Sequence, residues 1–154
     1  GMIHLNILTL THLTHLLLPG MLAKGNGKIL NVASTAGFLP GPLMAVYYAT
    51  KAYVVSFSVA LAHELKGQGV SVTALCPGPT ATRFQERARM GNIRFLTDHF
   101  RMNARRVARE GLEGMRRGKT LVIPGTVNKI LVLAARFLPR NFIAQAVKDI
   151  QKRS

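Results

Sequence analysis

Leucines and isoleucines crowd residues 3–24, and Leu5, Leu8, Leu13, Leu16 and Leu17 fall on more than one stripe of a helix. A helix apolar over so much of its circumference asks for burial on two sides. Pro19 predicts a kink or a new first turn, and Gly25-Asn26-Gly27 predicts a C-cap and turn. The period then changes. Ile29, Leu30 and Val32 form a short apolar run at 28–33, bounded by turn signals, which predicts a buried strand of a parallel sheet. Residues 37–42, Gly-Phe-Leu-Pro-Gly-Pro, read as loop. Helical spacing returns over 43–66 through Val54, Val55, Phe57, Leu61 and Leu65, and Gly67 and Gly69 end it. A second strand at 70–76 stops at Pro77. The segment from Ser34 to Cys76 is thus strand end, helix and strand, a βαβ unit with a right-handed crossover. Beyond it the pattern predicts helices at 84–90 and 105–116 around a less regular stretch at 91–103. A third strand follows at 119–123, then short helices at 127–137 and 141–151 separated by Pro139.

Composition narrows the class. A chain of 154 residues with 48% hydrophobic and 18% charged residues is globular rather than disordered. It suits one domain, 1–154, with a real core. The single cysteine excludes an internal disulfide, and Cys76, closing an apolar strand, reads as a small buried hydrophobe. His4, His12 and His15 share a helix without any carboxylate, so no metal site is expected. A formal charge of +15 would attract phosphate backbones. The three tyrosines, the absence of tryptophan and the spread of basic residues from Lys24 to Arg153 favour a basic surface over a nucleic-acid site. No uninterrupted apolar run reaches the ~20 residues of a membrane span. No targeting pattern stands at the N-terminus, where Gly1 before Met2 reads as the scar of a cleaved tag. A cytoplasmic location is expected.

The candidate chemistry lies in Tyr47 and Lys51, four residues apart and on one face if the segment is helical. A phenol titrates near pH ~10, and a neighbouring cation favours its phenolate form. Such a phenol can exchange a proton with an alcohol or carbonyl oxygen. Ser34, at the carboxyl end of the first strand, can hydrogen-bond the same oxygen. The same spacing also suits two snorkelling side chains on an amphipathic helix. Thr80 and Thr82, after the stiff turn Pro77-Gly78-Pro79, can cap a helix or bind phosphate oxygens.

Context decides among these. Asn31-Val32-Ala33-Ser34-Thr35-Ala36-Gly37, Tyr47-Tyr48-Ala49-Thr50-Lys51 and Pro77-Gly78-Pro79-Thr80-Ala81-Thr82 resemble the serine, Tyr-x-x-x-Lys and Pro-Gly segments of the short-chain dehydrogenase/reductase family. Asn6 stands where that family has a helix asparagine. The resemblance implies that Ser34 orients the substrate and that Tyr47 is the acid/base. Lys51 would bind the nicotinamide ribose and lower the phenol's pKa, and Asn6 would hold a water of the proton relay. Tyr47, Lys51, Pro77, Gly78, Thr80 and Thr82 would border the cofactor, NAD or NADP. The substrate would be a small carbonyl or alcohol.

The sequence departs from the family in one respect: it contains no G-x-x-x-G-x-G or G-x-G-x-x-G segment. The resemblance therefore implies the C-terminal part of such an enzyme, starting inside its fourth crossover helix. The expected fold is α/β, a partial doubly wound (Rossmann-type) sheet of three mostly parallel strands, side by side, with flanking helices. Cofactor binding by this chain alone is expected to be weak or absent. The family also implies a homo-oligomer, with the helices at 3–24 and 43–66 of two subunits forming a four-helix bundle. The alternative function is a non-catalytic assembly or interaction protein that keeps a relic site.

Overall fold

The computed structural model describes residues 1–81 and 101–152. Thr82 and the helix expected at 84–90 lie outside them. The first helix opens as a π-helical segment, His4–Thr9, and continues without a break into α1, Leu10–Ala23. Pro19 lies inside α1 without dividing it into two elements. The helix ends where the sequence put its stop. Gly25 adopts φ 60°, its N–H reaches the Leu22 carbonyl, and the Asn26 N–H reaches that of Met21. This double closure is the Schellman motif, and its left-handed position is where glycine costs least.

Strand β1, Gly27–Val32, starts one residue earlier than the pattern predicts. A 3₁₀ turn, Thr35–Phe38, leads toward α2, Ala45–Glu64. Strand β2 is Val70–Leu75. Helix α3 is Ala104–Arg116, and strand β3 is the short Leu121–Val122. Two helices follow, α4 at Thr126–Ala135 and α5 at Arg140–Lys152. The sheet order is β1-β2-β3, and both pairings are parallel. The expected partial doubly wound sheet is therefore present. The third strand is two residues long where the pattern suggested five positions, because only Ala74 and Leu75 pair with Leu121 and Val122.

Alternation along β2 builds the core. Val70, Val72 and Ala74 point to one face and are buried in two clusters. One contains Leu61 of α2 and Leu65 just past its end, with Leu18, Met21 and Leu22 of α1 packed against it. The other contains Ala33, Val54 and Cys76, with Leu10 and Ile123 against it. On the opposite face α3 approaches closely. A Cβ at Gly111 would meet the Leu75 side chain, and one at Gly114 would meet Val122.

β1 is less covered than expected of a buried strand. Only Asn31 in it is buried, and Val32 is 54% exposed. Asn31 donates to Ser58 Oγ of α2 at 3.0 Å, which satisfies the one polar side chain that β1 buries.

The helical stretches His4–Ala23 and Ala45–Glu64 are each long and apolar enough, by length and composition, to cross a membrane. The broken apolar run in the sequence had argued against this. α2, however, lies on the sheet with Val54, Ser58 and Leu61 buried beneath it. Among the described residues no group of three or more metal-ligating side chains occurs.

Candidate active site

A cleft of about 610 Å3 opens at the carboxyl ends of β1 and β2, where open parallel sheets bind ligands. β1 delivers Ser34, α2 delivers Tyr47, Tyr48 and Lys51, and the turn after β2 delivers residues 77–80. Ala104, Val107 and Ala108 of α3 and Val147, Ile150 and Gln151 of α5 close the far side.

Ser34 is extended and caps the 3₁₀ turn, its Oγ accepting from Ala36 N–H. Its side chain also hydrogen-bonds the Tyr47 phenol. Lys51 Nζ donates to the Val32 carbonyl at 3.0 Å and lies 6.0 Å from the centre of the Tyr47 ring. The three residues that the sequence singled out thus share one site. Pro77, Gly78 and Thr80 border it too, and Thr80 Oγ1 donates to the Gly78 carbonyl at 2.9 Å.

The electrostatics differ from the expected picture. Burial raises the pKa of Tyr47, and the hydrogen bond from Ser34 only partly offsets this. Burial lowers that of Lys51, with Cys76 acting against the shift. Desolvation sets the direction of both shifts, and the Lys51 Nζ is engaged by a backbone carbonyl. Burial thus favours the protonated form of the Tyr47 phenol, opposite to the influence that its spacing to Lys51 suggested.

Asn6 does not line the cleft. It sits in the π-helical segment and donates to Thr50 Oγ1 at 3.1 Å, and Thr50 in turn donates to the Tyr47 carbonyl at 2.8 Å. Its contact with the site runs through the backbone of Tyr47, and it fixes how the first helix sits against α2. A second bond between these helices joins Thr11 Oγ1 and Tyr53 Oη at 2.7 Å.

The sequence reading holds Tyr48 only in reserve, as the residue to consider should Tyr47 fail, and gives α5 no part in the site. Tyr48 meets Tyr47 edge-on, with ring centres 5.9 Å apart. A Cβ at Gly41 would collide with the Tyr48 ring, so glycine there is what allows this packing. Gln151 Nε2 donates to Tyr48 Oη at 3.1 Å. The signal for α5 was the spacing of Ile143, Val147, Ile150 and Gln151, which sets one helical face toward the cleft.

The chain matches the family model described as "short chain dehydrogenase" over residues 1–92. It is 44% identical over 82 residues to a very-long-chain 3-oxoacyl-CoA reductase of Rattus norvegicus, a match covering 53% of this chain and 26% of that protein. The chain thus spans about a quarter of the length of such curated relatives. Among solved structures it is similar to a short-chain dehydrogenase of Sphingobium yanoikuyae in complex with NADPH. There the TM-score is 0.72 and the identity 33%, over 80% of this chain and 47% of the other. A short-chain dehydrogenase/reductase of Burkholderia phymatum in complex with NAD gives a TM-score of 0.69 and 25% identity, over 82% and 53%. Most of the model match falls on the elements that carry Ser34, Tyr47, Lys51 and the turn after β2, and on this ground the chain belongs to the short-chain dehydrogenase family.

Proposed function

We propose that this chain carries the substrate-binding and proton-transfer part of an NAD(P)-dependent oxidoreductase that interconverts a carbonyl and an alcohol. The observation that carries this reading is the meeting of Ser34, Tyr47 and Lys51 at the carboxyl ends of two parallel strands. Ser34 holds the carbonyl oxygen by its hydroxyl, and Tyr47, protonated, gives that oxygen its proton as negative charge develops there. Lys51, anchored on the Val32 carbonyl, presents an ammonium beside the phenol. Asn6 supports the Tyr47 backbone through Thr50.

The residues present fit the nicotinamide–ribose end of a cofactor. Lys51, Tyr47, Pro77, Gly78 and Thr80 border the same open space, and Thr82 follows that turn in the sequence. Both NADPH- and NAD-bound neighbours support a dinucleotide of this class. When bound, the nicotinamide supplies the hydride. No glycine-rich phosphate segment stands in the sequence, so calorimetry on this chain should give dissociation constants weaker than low micromolar for NADH and NADPH.

Steady-state ketone reduction, measured in a form completed with the family's glycine-rich segment, tests the assignment. Tyr47→Phe should lower turnover about 100-fold or more, while Lys51→Ala should lower it and raise the cofactor KM. Near-normal turnover in Tyr47→Phe would point instead to Tyr48 or to the alternative, an assembly protein with a relic site.

The same reading has the chain folding as one domain and pairing with a second copy through its first helix and α2. Leu5, Leu8, Leu13, Leu16, Leu17 and Val46 are exposed on those helices, and large apolar patches are rare on soluble monomers. Sedimentation equilibrium should return a two-chain mass, and a stable one-chain species would defeat this part of the reading. The unpaired thiol of Cys76 suits a reducing compartment such as the cytoplasm.

A further inference from the structure

The last two helices leave apolar side chains uncovered. α4 buries Val132 and α5 buries Ile143, which seats each helix on the rest of the protein. Val127, Ile130 and Leu131 of α4 stay exposed, and their spacing of three and four sets them on one helix face. In the connection between the helices Phe137 is 81% exposed, next to the exposed Leu138. Phe142, in the first turn of α5, is 61% exposed. Single exposed apolar residues need no explanation, but this density within residues 127–142 does.

Charge distinguishes among the surfaces that could cover them. No acidic residue stands between Glu113 and Asp149, whereas Lys129, Arg136, Arg140 and Lys148 all do. Lys129, Arg136 and Arg140 are exposed within the same stretch as the apolar side chains. A second copy meeting this face across a twofold axis would set the same basic residues against each other. A nucleic acid would meet the charges and leave the aliphatic side chains in water. An anionic lipid surface takes both, its phosphates meeting the basic heads while the apolar tips enter the acyl boundary. α4, with ten residues, is about 15 Å long. That is half of a hydrocarbon core of about 30 Å, so the helix suits lying on such a surface rather than crossing it.

We propose that α4, the connection after it and the first turn of α5 form a peripheral docking surface for an anionic lipid bilayer. Phe137 and Phe142 are the inserted anchors, and Lys129, Arg136 and Arg140 meet the headgroups. This is attachment to a surface, and it is compatible with a cytoplasmic location, since the leaflet facing that compartment is anionic. Phe142 and Val147 lie about 8 Å apart along the α5 axis, and Val147 lines the cleft. Docking therefore brings that wall of the cleft close to the bilayer. The docking is independent of the function proposed above, and its test uses no turnover.

The chain has no tryptophan, so a single introduced one reports its own surroundings. Phe137→Trp is mixed with vesicles of phosphatidylcholine alone and with vesicles of phosphatidylcholine and phosphatidylglycerol in equal parts. On the anionic vesicles its emission should shift to the blue and be quenched by lipids brominated on their acyl chains. Neutral vesicles should change it far less. Leu16→Trp, on the first helix, should not be quenched by either. Co-sedimentation with the anionic vesicles then measures affinity in variants at exposed positions, where substitution leaves the core intact. Phe137→Ser should weaken binding about tenfold, the worth of burying one phenylalanine side chain. Arg136→Gln and Arg140→Gln should each weaken it about fivefold, and added salt should weaken it too. Equal binding to both kinds of vesicle, no binding to either, or quenching of Leu16→Trp as strong as that of Phe137→Trp would overturn the proposal. So would a two-chain mass that Phe137→Ser reduces to one, which would assign this face to a second copy.

Discussion

β1 and β2 are each six residues long and lie side by side in parallel register, yet they live in different surroundings. Val72, Thr73 and Ala74 of β2 are at most 1% exposed, whereas Val32 of β1 is 54% exposed and the residue that β1 buries is the polar Asn31. Apolar content does not explain this, since both strands carry three or more aliphatic residues. Position does. β2 has a strand on each edge and helices on both faces, while β1 has one described strand neighbour. A short apolar run states that a strand wants burial, and topology decides how much it receives.

The largest test of the contrast is a pair of truncations. Val72→Ala should cost about 2 kcal/mol, from lost transfer energy and a cavity that the packed surroundings cannot close. Val32→Ala should stay within about 0.5 kcal/mol. Urea unfolding measures both, and equal losses would mean that β1 is covered in solution. Next comes Asn31→Ala, which leaves the fully buried Ser58 hydroxyl without its amide donor. Its expected cost is about 1–2 kcal/mol. A neutral result would show that this bond sets geometry without adding stability.

The smallest effect is a pH dependence at the end of β2. Burial pushes the Cys76 thiol up from 9.0 to about 12. The unfolded chain therefore loses this proton first as pH rises, and stability falls from about pH 9 upward. Between pH 9 and 10 the loss should approach about 1 kcal/mol. Cys76→Ala should remove that part of the slope. Tyr47 and Tyr48, whose pKa values are also raised, should leave a decline that begins near pH 10. Thermal melts across this range in both proteins would separate the contributions, and identical slopes would exclude the thiol.

Local signals carried far in this chain. The helix stop at Gly25, the strand before Ser34 and the four-residue spacing of Tyr47 and Lys51 were legible because each depends on a few adjacent residues. The joining of Ser34 to Tyr47 was legible because a βαβ unit brings a strand end and the next helix together. What escaped the sequence depends on distant neighbours. Tyr48 and Gln151 meet across 103 positions, and nothing local to either announces the other. The direction of the Tyr47 pKa escaped as well, because it reflects how much water the completed cleft excludes. The spacing to Lys51 could suggest only the opposite influence.

The π-helical start of the first helix bears on how this chain tolerates insertion and deletion. A π turn holds more residues than an α turn, so the segment His4–Thr9 carries a surplus on the stretch that sets Asn6 against Thr50. Removing one residue from 7–9 would let an ordinary α-helix form there, and the surplus would vanish while Asn6 stayed close to its present phase. In the regular turns of Leu10–Ala23 no surplus absorbs the same deletion, and everything before it would turn by about 100°, one residue step. The π segment is thus the stretch of the first helix where the chain can lose a residue and keep its hold on the backbone of Tyr47 through Thr50.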